Sequence, residues 1–293
     1  MIKRLFHIPL VALALLAAPF DASALFRSYL ASDGNDANDC SLPTPCRLFS
    51  KALTTTDPGG EIWMLDSANF NNAPVVIDKN LSILAVPGAI GSLIASSGNA
   101  VVINAAGIKV FIKNVRVING SGSNNGITFS QGASLTIVDS EFLGLPFVGV
   151  NISATGSRTQ IMRSTFKDNG AGLQVSVGIV NALNNDFIGN ATAVKAIGAG
   201  GSNVFPANGP TRVRVGGGTI QDNTIAFNMV DSGLRQSGQC NGSNIFVNGT
   251  NSGFLMALGN GTWVTSSGTN DFNSGCAGPP VQYTIDGWSS PQP

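Results

Sequence analysis

The sequence predicts an all-β fold: a right-handed parallel β-helix, or solenoid, with a short N-terminal capping helix. Three observations predict it. One short phrase recurs between Lys109 and Asn223, with apolar anchors at Val117, Phe142, Phe166, Phe187 and Ile220, spaced by 25, 24, 21 and 33 residues. A recurring period in that range marks a stacked repeat. Alternating runs flank each anchor: Val110/Ile112, Leu135/Ile137, Ile161, Ile179 and Val213/Val215 before it; Ile127/Phe129, Val150/Ile152, Leu173/Val175, Val194/Ala196 and Ile225/Phe227 after it. Period-2 alternation over short runs means half-buried strands. Finally, Asn169, Asn190 and Asn223 each fall three residues after an anchor. Stacking would place them in one column, where Asn tolerates a left-handed turn and its amides can bond along the stack.

Such a unit is too short for a β-α-β crossover helix. It is long enough for two or three short strands, each coil lying about 4.8 Å from the next. Parallel crossovers favour the right-handed sense. The long step has a local cause, because Gly198–Pro210 carries the breaker residues of an inserted loop. Composition agrees: 36 Gly and 11% charged residues suit an all-β repeat. The 16 basic and 16 acidic residues become 14 and 15 once Lys3, Arg4 and Asp21 leave with a leader. That balance gives no electrostatic case for nucleic acid or an anionic membrane.

Residues 1–24 read as a secretory signal. Lys3 and Arg4 precede an apolar run, and Ala22-Ser23-Ala24 forms a small-x-small site cleaved between Ala24 and Leu25. No membrane span is expected after its removal, and the destination is secreted or periplasmic. Export favours disulfides. Four cysteines allow three pairings; Cys40–Cys46 with Cys240–Cys276 ties down one irregular end each. A metal reading is weak, because no CxxC occurs and the one histidine, His7, lies in the leader.

The opening segment carries Asp33-Gly34-Asn35-Asp36-Ala37-Asn38, then Pro45-Cys46-Arg47 and Phe49. It resembles the start of secreted bacterial right-handed β-helix proteins of the pectin-lyase-like superfamily, closest to members with an N-terminal paired-cysteine cap. The resemblance implies a β-helix that opens with a short helix. It says little of activity, because that opening accompanies several chemistries. Leu48, Phe49, Ala52 and Leu53 share one helical face, and Asp57-Pro58-Gly59-Gly60 stops the helix. Laid over the first coil, this helix would hide an open strand edge. Asp33, Asp36 and Asp39 do not make an EF-hand: Ala37 stands where Asp or Asn belongs and the closing Glu is missing.

Residues 25–60 thus form the cap, and 61–232 the solenoid. Its first coils carry Ile62/Met64, Val75/Ile77, Leu81/Ile83, Leu93 and Val101/Ile103. Residues 233–293 form the last irregular coils and tail, with Phe246 and Phe272 heading final coils.

Chemistry is the harder question. Related hydrolases share Asp residues with a His, and no His remains after residue 24. Lyase-type elimination needs carboxylates that hold calcium and an Arg or Lys base. The candidates are Glu141 and Asp186, two coils apart in one column with Thr165 between them, and Arg163, which shares a column with Asp139. Arg158, Arg212, Arg214, Lys195 and Arg235 are the other nearby bases. For binding, Asn169, Asn190 and Asn223 are the polar candidates. Trp63, Trp263, Trp288, Tyr29 and Tyr283 are the aromatic ones, and none lies inside the regular repeats. The first reading is a non-catalytic exported protein with polysaccharide contact or an envelope role, with no cofactor. The alternative is a polysaccharide lyase on an acidic glycan, and calcium enters only with that alternative.

Overall fold

The computed structural model describes residues 25–197 apart from 97 and 123, then 212–221, 223, 225–230 and short strands at 245–246, 256–258, 262–265, 268–271 and 284–286. Residues 1–24, Cys240, Cys276, the loop 198–210, Phe272, Tyr283 and Trp288 lie outside that set, so the leader, its Ala24 end and the second disulfide lie outside it too.

The chain forms a parallel β-solenoid of about 6 turns with a single short helix among the described residues. Each regular coil has three strands, so the solenoid has three faces. The first stacks Leu25–Leu30, Thr56–Met64, Leu81–Ala85, Lys109–Lys113, Ser134–Val138, Arg158–Met162 and the first half of Ile179–Ile188. The second stacks Gly91–Ala95, Val115–Asn119, Glu141–Leu143, Thr165–Lys167 and the second half of Ile179–Ile188. The third stacks Val75–Ile77, Val101–Asn104, Ile127–Gln131, Val148–Ile152, Ala171–Val175 and Thr192–Ile197.

The anchors fall in register: Val117 with Phe142, Phe142 with Phe166, Phe166 with Phe187 and Phe187 with Ile220. The three Phe rings stack at 4.9 and 4.8 Å with interplanar angles of 9° and 8°. The apolar residues expected inward in the first coils, from Ile62 to Ile103, are buried.

The register corrects three expectations. Ile179 pairs with the exposed Arg158, so Val180 and Ala182 fill the core of that coil. A one-residue slip exchanges the faces of a strand, and the neighbouring coils decide which parity wins. In the last third-face strand, Phe227 and Met229, not Ile225 and Phe227, align with Val194 and Ala196. Phe246 heads no parallel coil: Ile245–Phe246 pairs antiparallel to Ile225–Val230.

The turns differ from expectation as well. The left-handed residues are Asn114, Asp139, Arg163 and Asn184, each three before an anchor, with φ from 49° to 58°. A second column lies two after it, at Gly144, Asp168 and Gly189. Asn169 and Asn190 do not take that conformation, so their role lies in their amides.

The cap also works differently. Leu25–Leu30 is itself a strand of the first face, earlier than the expected start at residue 61. The loop closed by the Cys40–Cys46 disulfide covers its edge. Tyr29 N donates to Cys40 O at 2.8 Å, Cys46 N to Tyr29 O at 2.9 Å and Ala31 N to Cys46 O at 3.0 Å. Edge groups that would template another strand are thereby used. Helix Phe49–Thr55 buries Phe49 and Ala52 behind this loop, and Lys79 Nζ donates to the carbonyls of Leu53 and Thr56 at its end.

One core position is imperfect. Thr159 lies between Leu135 and Val180, is 1% exposed, and its hydroxyl has no partner. Thr159→Val keeps the shape and removes that group, so it should raise stability by about 1 kcal/mol in urea denaturation.

Candidate functional site

Of the expected catalytic residues, Glu141 and Asp186 occupy the outward side of the second face, and Arg163 lies in the left-handed turn that leads into it. Glu141, Thr165 and Asp186 do share one column, in three adjacent coils. Glu141 pairs with Arg116 from the coil below. Arg163 pairs with Asp139 through Nε at 2.7 Å and a second nitrogen at 3.2 Å, and the bond to Asp139 raises its already high pKa. A base that must give up a proton gains nothing from such a partner. Asp186 lies two coils from Glu141, about 10 Å away. Arg163, Glu141 and Asp186 therefore do not converge on one point. Nor does the Asp33, Asp36 and Asp39 segment gather its carboxylates. Asp36 accepts from the amides of Arg47 and Leu48 at 2.9 and 2.8 Å. The Asp39 carboxyl is held down to about 2 by the Thr44 hydroxyl and the Ser41 amide. No cluster of three or more His, Cys, Asp or Glu side chains placed to hold a metal occurs among the described residues.

The expected binding residues are interior. Asn169, Asn190 and Asn223 are 3%, 1% and 0% exposed. Asn169 Nδ2 donates to Asn190 Oδ1 at 2.9 Å, and Asn190 Nδ2 to Asn223 Oδ1 at 2.8 Å. Their amides are consumed in a ladder, and burial closes them to a sugar. Of the aromatic candidates, Tyr29 and Trp63 do lie in the regular stack, as register neighbours on the first face. Arg27 sits 4.7 Å from the centre of the Trp63 ring, and Trp63 Nε1 donates to Glu61 at 2.8 Å.

A concave site lies instead on the outward side of the third face. It holds about 370 Å³ and is lined by Phe147, Asn151, Gln174, Lys195, Thr192 and Asn125, among others. The stack builds it directly: Asn151 pairs in register with Gln174, and Gln174 with Lys195, so one column presents an amide, an amide and an ammonium in successive coils. Gln174 Nε2 donates to Asn151 Oδ1 at 3.2 Å and orients both amides. Beside the column, the turn that carries Pro146 leaves Phe147 55% exposed. Lys195 is the one charged residue of the lining, and no carboxylate faces it from that lining.

Sequence reasoning missed this site. Phe147 follows Pro146 in a turn, off the alternating run, so no period in the sequence marks it. The polar column comes from three strands more than twenty residues apart, and only the register assembles it.

No family model matches the chain, and no curated protein matches it. A solved rhamnogalacturonan lyase is similar over 84% of this chain and 79% of its own, at 13% identity and a TM-score of 0.39.

Proposed function

We propose that this chain is an exported, non-catalytic β-helix protein of the pectin-lyase-like class, wound in the right-handed sense, that holds an acidic polysaccharide along its third face. The observation that carries the reading is the groove in which Asn151, Gln174 and Lys195 line up beside the exposed ring of Phe147. Each part suits a glycan. An exposed aromatic ring offers a flat apolar surface to the C–H face of a sugar. Amides donate to and accept from hydroxyls, and a lysine favours a carboxylate-bearing unit over a neutral one. One coil rises about 4.8 Å, close to the length of one sugar residue, so an extended chain laid along the axis meets a new side chain in each coil. The non-catalytic part draws support from the ion pairs that already occupy Glu141 and Arg163.

The test is binding of sodium polygalacturonate, measured by affinity electrophoresis or calorimetry, with dextran as the neutral comparator. Phe147→Ala and Lys195→Ala should each weaken retention roughly tenfold, and the lysine variant should lose most of the salt dependence. Equal retention of both polymers, or variants that bind like wild type, would remove the groove from the reading. Release of unsaturated sugar from a uronan, with calcium supplied, would overturn the non-catalytic part.

A further inference from the structure

The six third-face strands from Val75–Ile77 to Thr192–Ile197 hold a single charged side chain, Lys195. The strands of the other two faces carry charges of both signs. The outward column of the third face runs Val76, Val102, Thr128, Asn151, Gln174 and Lys195, each in register with the next. A surface shaped for a polymer charged at every unit would repeat its cation from coil to coil. This column places its cation once and continues towards the cap with two amides and a hydroxyl.

That pattern bears on where a ligand can carry charge. With a glycan laid along the axis, one unit faces each coil, because the coil rise is about 4.8 Å. A carboxylate paired with Lys195 then fixes where the next ones fall. If successive units point their carboxylates the same way, the second lies over Gln174 and the third over Asn151. If they alternate, the third still lies over Asn151. The same coil supplies the exposed ring, since Phe147 directly precedes the strand Val148–Ile152 that carries Asn151. A carboxylate there gives up water against an apolar ring and meets no cation. Asn151 Nδ2 can donate to it, but a neutral donor returns only part of the cost of desolvating an ion. An uncharged unit avoids that cost: its hydroxyls suit the amide and its C–H face suits the ring.

We propose that the groove prefers a glycan whose carboxylates are interrupted, with a charged unit at Lys195 and an uncharged one two coils away, at Asn151 and Phe147. The inference rests on the glycan reading above and adds to it the charge pattern of the ligand.

The test uses one polygalacturonate preparation, methyl-esterified at random to a graded series, so that the backbone stays fixed while carboxylate density falls. Calorimetry at constant ionic strength gives the affinity of the intact protein for each member. Affinity should pass through a maximum at intermediate esterification, about threefold or more above the unesterified polymer. Lys195→Gln should flatten the profile, leaving every member near the fully esterified one. Asn151→Lys sets a second cation two coils from the first and should move the maximum to the unesterified polymer, a change that loss of structure would not produce. Affinity that climbs steadily to the unesterified polymer, or an Asn151→Lys profile that peaks where wild type does, would overturn the inference and leave the glycan reading standing. Absence of binding to every member of the series would overturn both.

Discussion

Phe166→Ala is expected to destabilise the solenoid by about 3–5 kcal/mol. Phe166 is fully buried, with Phe142 stacked on one side and Phe187 on the other, so one truncation removes two ring contacts and opens a cavity between coils. The surroundings cannot close that cavity cheaply. The opposite wall is glycine: a methyl group at Gly149 would come within 2.9 Å of a Phe166 ring carbon, and one at Gly172 within 2.7 Å of a Phe187 ring carbon. Small residues on the third face and large ones on the second are thus fitted to each other, coil by coil. Phe166→Leu should recover about half the loss, since it refills volume without restoring the stack. Urea denaturation read by circular dichroism measures both. A loss for Phe166→Ala under about 1 kcal/mol would mean that the Phe column is not the organising core. Because a repeat protein couples each coil mainly to its neighbours, hydrogen exchange should rise first in the strands around residues 141–188.

The Phe column was also the most legible part of the sequence, and for a physical reason. Identical large residues at a steady period can lie in one column only if the chain winds once per period, so spacing alone fixed which residues stack. Other features have no such signature. Around Ile179 the alternation fits either Ile179 with Asn181 and Leu183 or Val180 with Ala182, and only pairing with Leu135/Ile137 and Thr159/Ile161 selects the second. Residue type alone points to Asn169 and Asn190 for the left-handed turn, because Asn tolerates it. The chain instead spends Asn114, Asp139, Arg163 and Asn184 there, and in that column Arg163 gives no hint in its residue type. The edge-covering role of the Cys40–Cys46 loop depends on backbone groups, which a sequence does not display. The candidate glycan groove was least legible of all. Its polar column joins three coils, and its ring belongs to a turn outside the repeat.

Asn190→Ala is expected to cost about 3–5 kcal/mol, comparable to losing a core ring although only a polar side chain is removed. Asn190 Oδ1 accepts from the amide of Asn169 at 3.0 Å and from its Nδ2 at 2.9 Å, while its own Nδ2 donates to Phe166 O at 2.9 Å and to Asn223 Oδ1 at 2.8 Å. Alanine strands the Asn169 amide and Phe166 O, at about 1–3 kcal/mol for each that water cannot reach, while Asn169 Nδ2 keeps Phe142 O and Asn223 Oδ1 keeps the backbone amide of residue 190. Asn190→Asp separates the two halves of the amide. It keeps the acceptor towards Asn169 but sets a buried carboxylate against Phe166 O and Asn223 Oδ1, so it should be at least as harmful at neutral pH, with part of the loss recovered on acidification as the carboxyl protonates. A double-mutant cycle tests whether the column acts as a unit. Asn169→Ala and Asn190→Ala together should cost less than their sum by about 1 kcal/mol or more, since the second change removes partners that the first has already stranded. Strict additivity would mean that each amide serves only its own turn, and the coils would then be joined by backbone ladders and the apolar stack alone.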